Sequence, residues 1–215
     1  MSQDEGTQQR ILAAARSVFY AKGLDGARMD EIAREAGINK AMLHYYFRSK
    51  QDLFDKVLID TFSKIIPQVL QIISQPLPLI ERMQQFSQFY NDLLRQEPQI
   101  PVFLLNAIQA QHTDSIDRLL SSAPLGPRVF VGQFLQTVAQ EMDAGRIPRQ
   151  DPRDVLINMV ALSVFPFMLK PLMVRLLGIG EEDFDQYIRQ RRDSVPDFLA
   201  RALRADDDSS TTPST

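Results

Sequence analysis

The sequence predicts an all-α protein of about nine or ten helices, with a small N-terminal domain and a larger helical one behind it. Three observations lead there. Apolar residues recur at i, i+3 or i+4 along most of the chain. No segment alternates apolar and polar residues as a half-buried strand does, and no internal repeat occurs. Thirteen prolines and nine glycines divide the 215 residues into segments of helix length, many opened by Ser, Thr, Asn or Asp.

The elements follow in order. Residues 1–6 are a polar start. Thr7 is placed to cap a helix with Ile11, Leu12, Ala15, Val18 and Phe19 inward, and Gly23 to end it. From Arg28 to Lys50 the chain reads RMDEIAREAGINKAMLHYYFRSK, two short helices joined by a tight turn. The first carries Ile32, Ala33 and Ala36 on one face. Gly37 takes the left-handed position after it, and Ile38 folds back as the accompanying apolar contact. Asn39 caps the second, with Lys40 as its first residue. Leu43, Tyr46 and Phe47 face inward there, which leaves Lys40, Ala41, His44 and Tyr45 outward. Phe19, Tyr46 and Phe47 are the expected aromatic core of this three-helix unit. Ser49 with Asp52 forms a capping-box variant that opens a fourth helix. Its stripe of Leu53, Phe54, Val57, Leu58, Phe62, Ile65 and Ile66 should kink or end at Pro67.

Beyond Pro76 and Pro78, further helices are expected over Leu79–Leu94, from Pro98–Pro101 to about Gln111, over Thr113–Ser121, and from about Arg128 to Ala144. Asp151 and Pro152 give an N-cap and an N1 proline to a helix reaching about Leu177, bent at Pro166 and Pro171. Gly178 and Gly180 bracket the turn into a last helix, Glu181 to about Ala205. The tail 206–215, acidic and then rich in Ser and Thr, has the composition of a disordered segment.

Composition bounds the function. The absence of cysteine excludes disulfides, thiolate zinc sites and a cysteine nucleophile, and suits a reducing cytoplasm. No basic-then-apolar leader opens the chain, so secretion is not expected. The most apolar stretch, Val160–Leu169, is too short to span a bilayer, and no membrane partner is expected. Net charge is −3, unevenly spread. Residues 1–56 hold nine Lys/Arg against eight Asp/Glu, and the remainder fifteen against nineteen. A slightly basic head on an acidic body suits a protein that meets phosphate at one end.

Helix, glycine turn and a second helix with a polar, aromatic outer face is the helix-turn-helix pattern, whose second helix enters a DNA major groove. An ordinary helical hairpin has the same periodicity. The residues Ile32-Ala33, Ala36-Gly37-Ile38-Asn39, Tyr46-Phe47 and Ser49-Lys50, however, closely resemble the DNA-binding domain of the tetracycline-repressor (TetR) family. Specific motifs carry that resemblance over roughly residues 7–55; farther on it rests on length and helix order.

The resemblance implies a helix-turn-helix DNA-binding domain (1–48), a helical effector-binding and dimerisation domain (49–205) and the tail (206–215). It places Lys40, His44, Tyr45 and Lys50 at DNA-contacting positions. Lys40 and Lys50 sit in first helical turns suited to phosphate, and His44 and Tyr45 can reach base edges or phosphates. Arg28, Met29 and Asn39 complete the candidate DNA-contact set. Two departures stand out. Arg28 replaces the usual Thr or Ser cap and offers a charge instead, and Met42 replaces a Thr or Ser and cannot donate to phosphate.

In the body, Phe86, Tyr90, Phe103, Asn106, Phe134, Met142, Met159 and Phe165 are candidates for a small apolar or amphipathic effector, although stripes of this kind also build plain cores. The helices from Pro152 to Ala205 resemble the family's dimerisation helices, with Phe167, Met168, Leu172, Phe184, Tyr187 and Phe198 as candidate interface residues alongside Phe165. Burial within one protomer is the alternative. Arg189, Arg191 and Arg192 are expected on a solvated face, and His112 at the surface or in a loop.

Nothing proposes an enzyme. The two histidines are far apart, neither has metal-ligand spacing, and neither a phosphate-cradling glycine loop nor a G-x-S-x-G elbow occurs. No cofactor is expected. The expectation is a DNA-binding transcriptional regulator, a repressor released from a palindromic operator by an effector and acting as a homodimer on double-stranded DNA. A DNA binder without an effector and a helical protein-interaction module are the alternatives.

Overall fold

The computed structural model describes residues 3–109, 113–122 and 127–204. Ten helices lie among them: α1 Gln3–Gly26, α2 Met29–Glu35, α3 Lys40–Tyr46, α4 Lys50–Ile73, α5 Leu79–Gln96, α6 Ile100–Gln109, α7 Thr113–Ser122, α8 Pro127–Asp143, α9 Pro152–Leu177 and α10 Glu181–Ala202. No strand occurs among the described residues. His112 and the tail 206–215 lie outside them.

The chain folds as two compact units. One comprises residues up to Val69 together with Glu97–Arg128; the other comprises Leu70–Gln96 and the residues from Val129 onward. The first unit thus contains the expected head (1–48) and adds most of α4 with α6 and α7. Aromatic packing accounts for this. Phe19 stands edge-on to Phe54 of α4, with ring centroids 5.1 Å apart, and Phe54 in turn lies 5.1 Å from Phe103 of α6. Each such fully buried ring contributes roughly 1.5–3 kcal/mol of transfer free energy. The expected core of Phe19, Tyr46 and Phe47 is corrected in one member. Phe19 and Phe47 are buried, but Tyr46 is half-buried, because its hydroxyl donates to the carboxylate of Asp4 on α1.

Prolines do not break the long helices. α4 continues through Pro67 to Ile73, α9 through Pro166 and Pro171, and α10 through Pro196. Beside Pro67, the Gln68 side chain donates to the carbonyl of Lys64 at 3.0 Å. Because helix continues on both sides of Val160–Leu169, α9 reaches 26 residues and is long and apolar enough, by length and composition, to cross a membrane. The apolar stretch expected to be too short therefore belongs to a longer element.

In the second unit α5, α9 and α10 pack on one another. Asn91 donates to the carbonyl of Ile188 at 2.8 Å in the interior, Arg192 pairs with Asp92 at 3.1 Å, and Arg191 donates to the carbonyl of Leu162 at 2.8 Å. Arg191 and Arg192, expected on a solvated face, instead stitch α10 to α9 and α5. Arg189 pairs with Asp185 along the helix surface. On α8, Phe130, Phe134, Val138 and Met142 form the buried side.

Candidate nucleic-acid interface

The turn between α2 and α3 is built as its residues require. Gly37 has φ +67°, a conformation that strains side chains with a Cβ. Its N–H donates to Arg34 O at 3.1 Å, and that of Ile38 to Ala33 O at 3.0 Å, the paired bonds of a Schellman ending. Asn39 then caps α3, its Oδ1 accepting the N–H of Met42 at 2.8 Å. Leu43 is the fully buried anchor that fixes the rotation of α3. With Leu43 and Phe47 inward, Asn39, Lys40, Ala41, Met42, His44 and Tyr45 are all exposed, and Tyr45 is 80% so. Its ring meets Tyr46 edge-on, with centroids 5.4 Å apart, and the rest of it stays open to contact.

The remaining candidates differ in readiness. Lys40 Nζ lies 2.9 Å from Asp30 Oδ1, an exposed pair that holds the amine on the surface. Arg28 occupies the N-cap position of α2 with no side-chain capping bond and is exposed, whereas Met29 is half-buried. Lys50 is turned to the backbone. Its ammonium donates to the carbonyls of Ala27 at 3.2 Å and Asp25 at 3.4 Å, tying the start of α4 to the α1–α2 connection. Ser49 caps α4 by accepting the N–H of Asp52 at 3.0 Å. Among the described residues, no group of three or more His, Asp or Glu is placed to hold a metal ion.

Residues 11–57, which contain all of this geometry, match the family described as bacterial regulatory proteins, tetR family. The match assigns these residues, and not the rest of the chain, to that family's domain. The HTH-type transcriptional regulator SrpR of Pseudomonas putida is 41% identical over 54 residues, a match covering 25% of this chain and 25% of SrpR. The chain thus spans about a quarter of that relative's length. Among solved structures, a putative transcriptional regulator from Streptomyces coelicolor, SCO4942, superposes with a TM-score of 0.68 at 19% identity, over 93% of this chain and 99% of that one. The transcriptional regulator FadR from Bacillus subtilis, in complex with stearoyl-CoA, superposes with a TM-score of 0.64 at 15% identity, over 92% and 100%. At these identities the fold alone is shared: an N-terminal helix-turn-helix followed by a larger set of helices.

In the second unit, an apolar groove of about 420 Å³ runs between α9, α10 and Met83 of α5. Val155, Leu162, Phe165, Phe198, Leu199 and Leu203 form its walls, and Gln150 and Asn158 supply polar groups. Of the effector candidates only Phe165 lines it. Phe86, Phe134, Met142 and Met159 are buried in the helical core. Tyr90 lies on Phe86 with ring centroids 4.5 Å apart, and desolvation pushes its phenol up to about 12. Phe103 and Asn106 belong to the first unit. Phe103 packs on Tyr20 at 4.9 Å, and the Asn106 amide lies 3.4 Å from where a Cβ on Gly23 would be.

The dimer candidates divide similarly. Phe167 and Phe184 are buried against each other with centroids 6.3 Å apart, and Met168 and Tyr187 are half-buried. Leu172 and Phe198 are exposed, as are Ile157, Val160, Phe165, Leu176 and Leu177, which sequence reading did not single out apart from Phe165. Their signal was available, since an apolar residue on each turn of α9 beyond those its packed face needs marks a second apolar face.

Proposed function

We propose that this protein is a sequence-specific DNA-binding transcriptional regulator, a homodimeric cytoplasmic repressor released from a palindromic operator by a small apolar or amphipathic effector. The observation that carries the reading is α3 itself, capped by Asn39, anchored by Leu43, and presenting Lys40, Ala41, His44 and Tyr45 outward. Two copies related by a two-fold axis would set these residues in successive major grooves roughly 34–36 Å apart. Arg28 and the Asn39 and Lys40 side chains would add backbone contacts that fix register without reading sequence.

Dimerisation is supported by the second apolar face of α9 and α10, where Phe165 and Phe198 are 53% and 54% exposed. Exposed apolar area of this kind favours burial against a second copy. Effector binding is supported by the apolar groove with Gln150 and Asn158 at its polar positions. The shared fold with FadR, which holds stearoyl-CoA, favours the amphipathic end of the range. Release would require the effector to bind one conformer of the dimer more tightly than the other. α4, which passes from the first unit to the second between Val69 and Leu70, is the element through which both domains would be linked.

Selection of DNA from a random pool by the full-length protein tests the proposal, with the double variant Lys40→Ala, Tyr45→Ala in parallel. Enrichment of a palindrome by the native protein and its loss in the variant is the expected result. A folded dimer that enriches no sequence would overturn it and favour the protein-interaction module.

A further inference from the structure

Arg82 is one of very few charged residues in the interior of the second unit, with 9% of its surface exposed. It stands near the start of α5, and one guanidinium nitrogen donates to the carbonyl of Ile73, the last residue of α4, at 3.0 Å. That bond caps a helix C-terminus, where a cation is favoured. Capping accounts for one donor of five. The Nε–H is buried and makes no hydrogen bond, an arrangement that costs free energy unless a ligand or water completes it.

The same guanidinium lines a cleft of about 310 Å³ whose other walls, apart from Ile73 at the end of α4, are polar: Ser74 after α4, and Gln133, Gln136, Thr137 and Gln140 of α8. The four α8 residues fall at i, i+3, i+4 and i+7, a single stripe on the face opposite the buried Phe134 and Val138. Thr137 donates its hydroxyl to the carbonyl of Gln133 at 3.0 Å, so its oxygen stays open as an acceptor. No hydrogen bond joins the three glutamine amides to another described side chain. The carboxylate that could neutralise the site, Glu141, is gripped by Arg146 through two bonds of 2.7 and 2.9 Å. Among the described residues no salt bridge joins Arg82 to a carboxylate, although, behind the Arg146 hydrogen bonds, its charge still helps to hold the Glu141 carboxyl below its usual value.

We infer that this cleft is a binding site for a small polar oxyanion, a phosphate monoester or a carboxylate, held by the Arg82 guanidinium and by the amide N–H groups of Gln133, Gln136 and Gln140. A planar guanidinium matches both kinds of oxyanion. Neutral amides complete the shell without repelling the ligand, and the polar walls exclude a mainly apolar molecule. The cleft is lined by residues other than those of the apolar groove, and the inference stands whether or not the protein binds DNA.

The test is a titration of the full-length protein with inorganic phosphate, and separately with succinate, at ionic strength held constant with chloride. The arginine Nε–H signals are followed by NMR, and the Arg82 signal is identified by its absence from Arg82→Lys. A saturable shift of that signal is expected. In Gln136→Glu, which sets a carboxylate on the exposed wall, the affinity should fall by at least about tenfold through charge repulsion, with helicity and melting temperature unchanged. Gln140→Glu repeats the test from the next turn. Saturation by phosphate alone would define the ligand as a phosphate ester, and saturation by succinate alone as a carboxylate. A shift that never saturates with either probe, or one that both glutamate variants leave unchanged, would overturn the inference.

Discussion

Asp55 on α4 accepts the hydroxyl of Ser115 on α7 at 2.5 Å, joining two helices sixty residues apart in sequence. Gln51 bridges the same pair, donating to Asp55 at 2.8 Å and to Ser115 at 2.9 Å, and Arg118 closes an ion pair with the second carboxylate oxygen. Asp55 is buried while the Arg118 side chain remains largely in water. Removing the carboxylate would strand a buried hydroxyl but would let the arginine rehydrate. Asp55→Ala should therefore destabilise the protein by about 2–3 kcal/mol, below the range for a fully buried ion pair, and Asp55→Asn by about 1 kcal/mol. Urea unfolding measures both. An Ala variant within 0.5 kcal/mol of the native protein (roughly the scatter of neutral surface changes) would show that the cluster does not hold α7 to α4.

The cap on α3 allows the proposed DNA contact to be tested apart from folding. Asn39→Ala removes the acceptor for Met42 N–H and should cost about 1 kcal/mol. Asn39→Ser should keep both cap and DNA affinity. Asn39→Asp should keep the stability yet weaken DNA binding, because it adds a carboxylate beside the phosphates. Thermal melts paired with binding to the selected operator distinguish these outcomes; equal DNA affinity for Asp and Ser would place position 39 away from the phosphates.

Lys40 is paired with Asp30, so in the proposed complex a DNA phosphate would have to compete for it. Asp30→Asn should raise operator affinity several-fold with little change in stability, since exposed ion pairs contribute little. Lys40→Ala should lower affinity and reduce the slope of log K against log salt by about 0.9, one phosphate contact. An unchanged slope would remove Lys40 from the phosphate contacts.

What the sequence made legible was local. Asn39, Ser49 and Asp151 cap the helices their positions suggested, and Gly37 forms the turn, because each depends on residues at most five positions away. Which helix lies against which is not encoded at that range. Phe103 and Asn106 read as body residues, yet α6 packs on α1, and nothing in the α6 pattern names its partner. Lys50 reads as a free cation in a first helical turn, and only the fold reveals that the Asp25 and Ala27 carbonyls are within its reach. Arg82 reads as one more charge on an amphipathic helix. Its burial depends on α8 and on the end of α4, which a single-helix pattern cannot report.

The start of α9 gives a pH dependence of defined sign. Asp151 accepts the Arg153 guanidinium at 2.9 and 3.0 Å and the Arg153 backbone N–H at 2.9 Å, and these bonds lower its carboxyl from 3.8 to about 2. Side-chain bonding from Arg153 is the larger cause, and the backbone bond adds to it. A carboxyl depressed in the folded state binds protons less readily there than in the unfolded chain. Its stabilisation is therefore complete above the unfolded value near 3.8 and is lost as pH falls toward about 2. Asp151→Asn keeps a good N-cap but neither titrates nor pairs with Arg153. The melting temperature of the native protein should thus exceed that of Asp151→Asn by a constant margin above about pH 5, where both states of the native carboxyl are ionised. The margin should then close as pH falls through the window between 3.8 and about 2. Other carboxyls titrate in the same range, but they are common to both proteins and cancel in the difference. A margin that stays constant down to about pH 2 would mean that the Arg153 contacts do not favour the ionised carboxyl in solution.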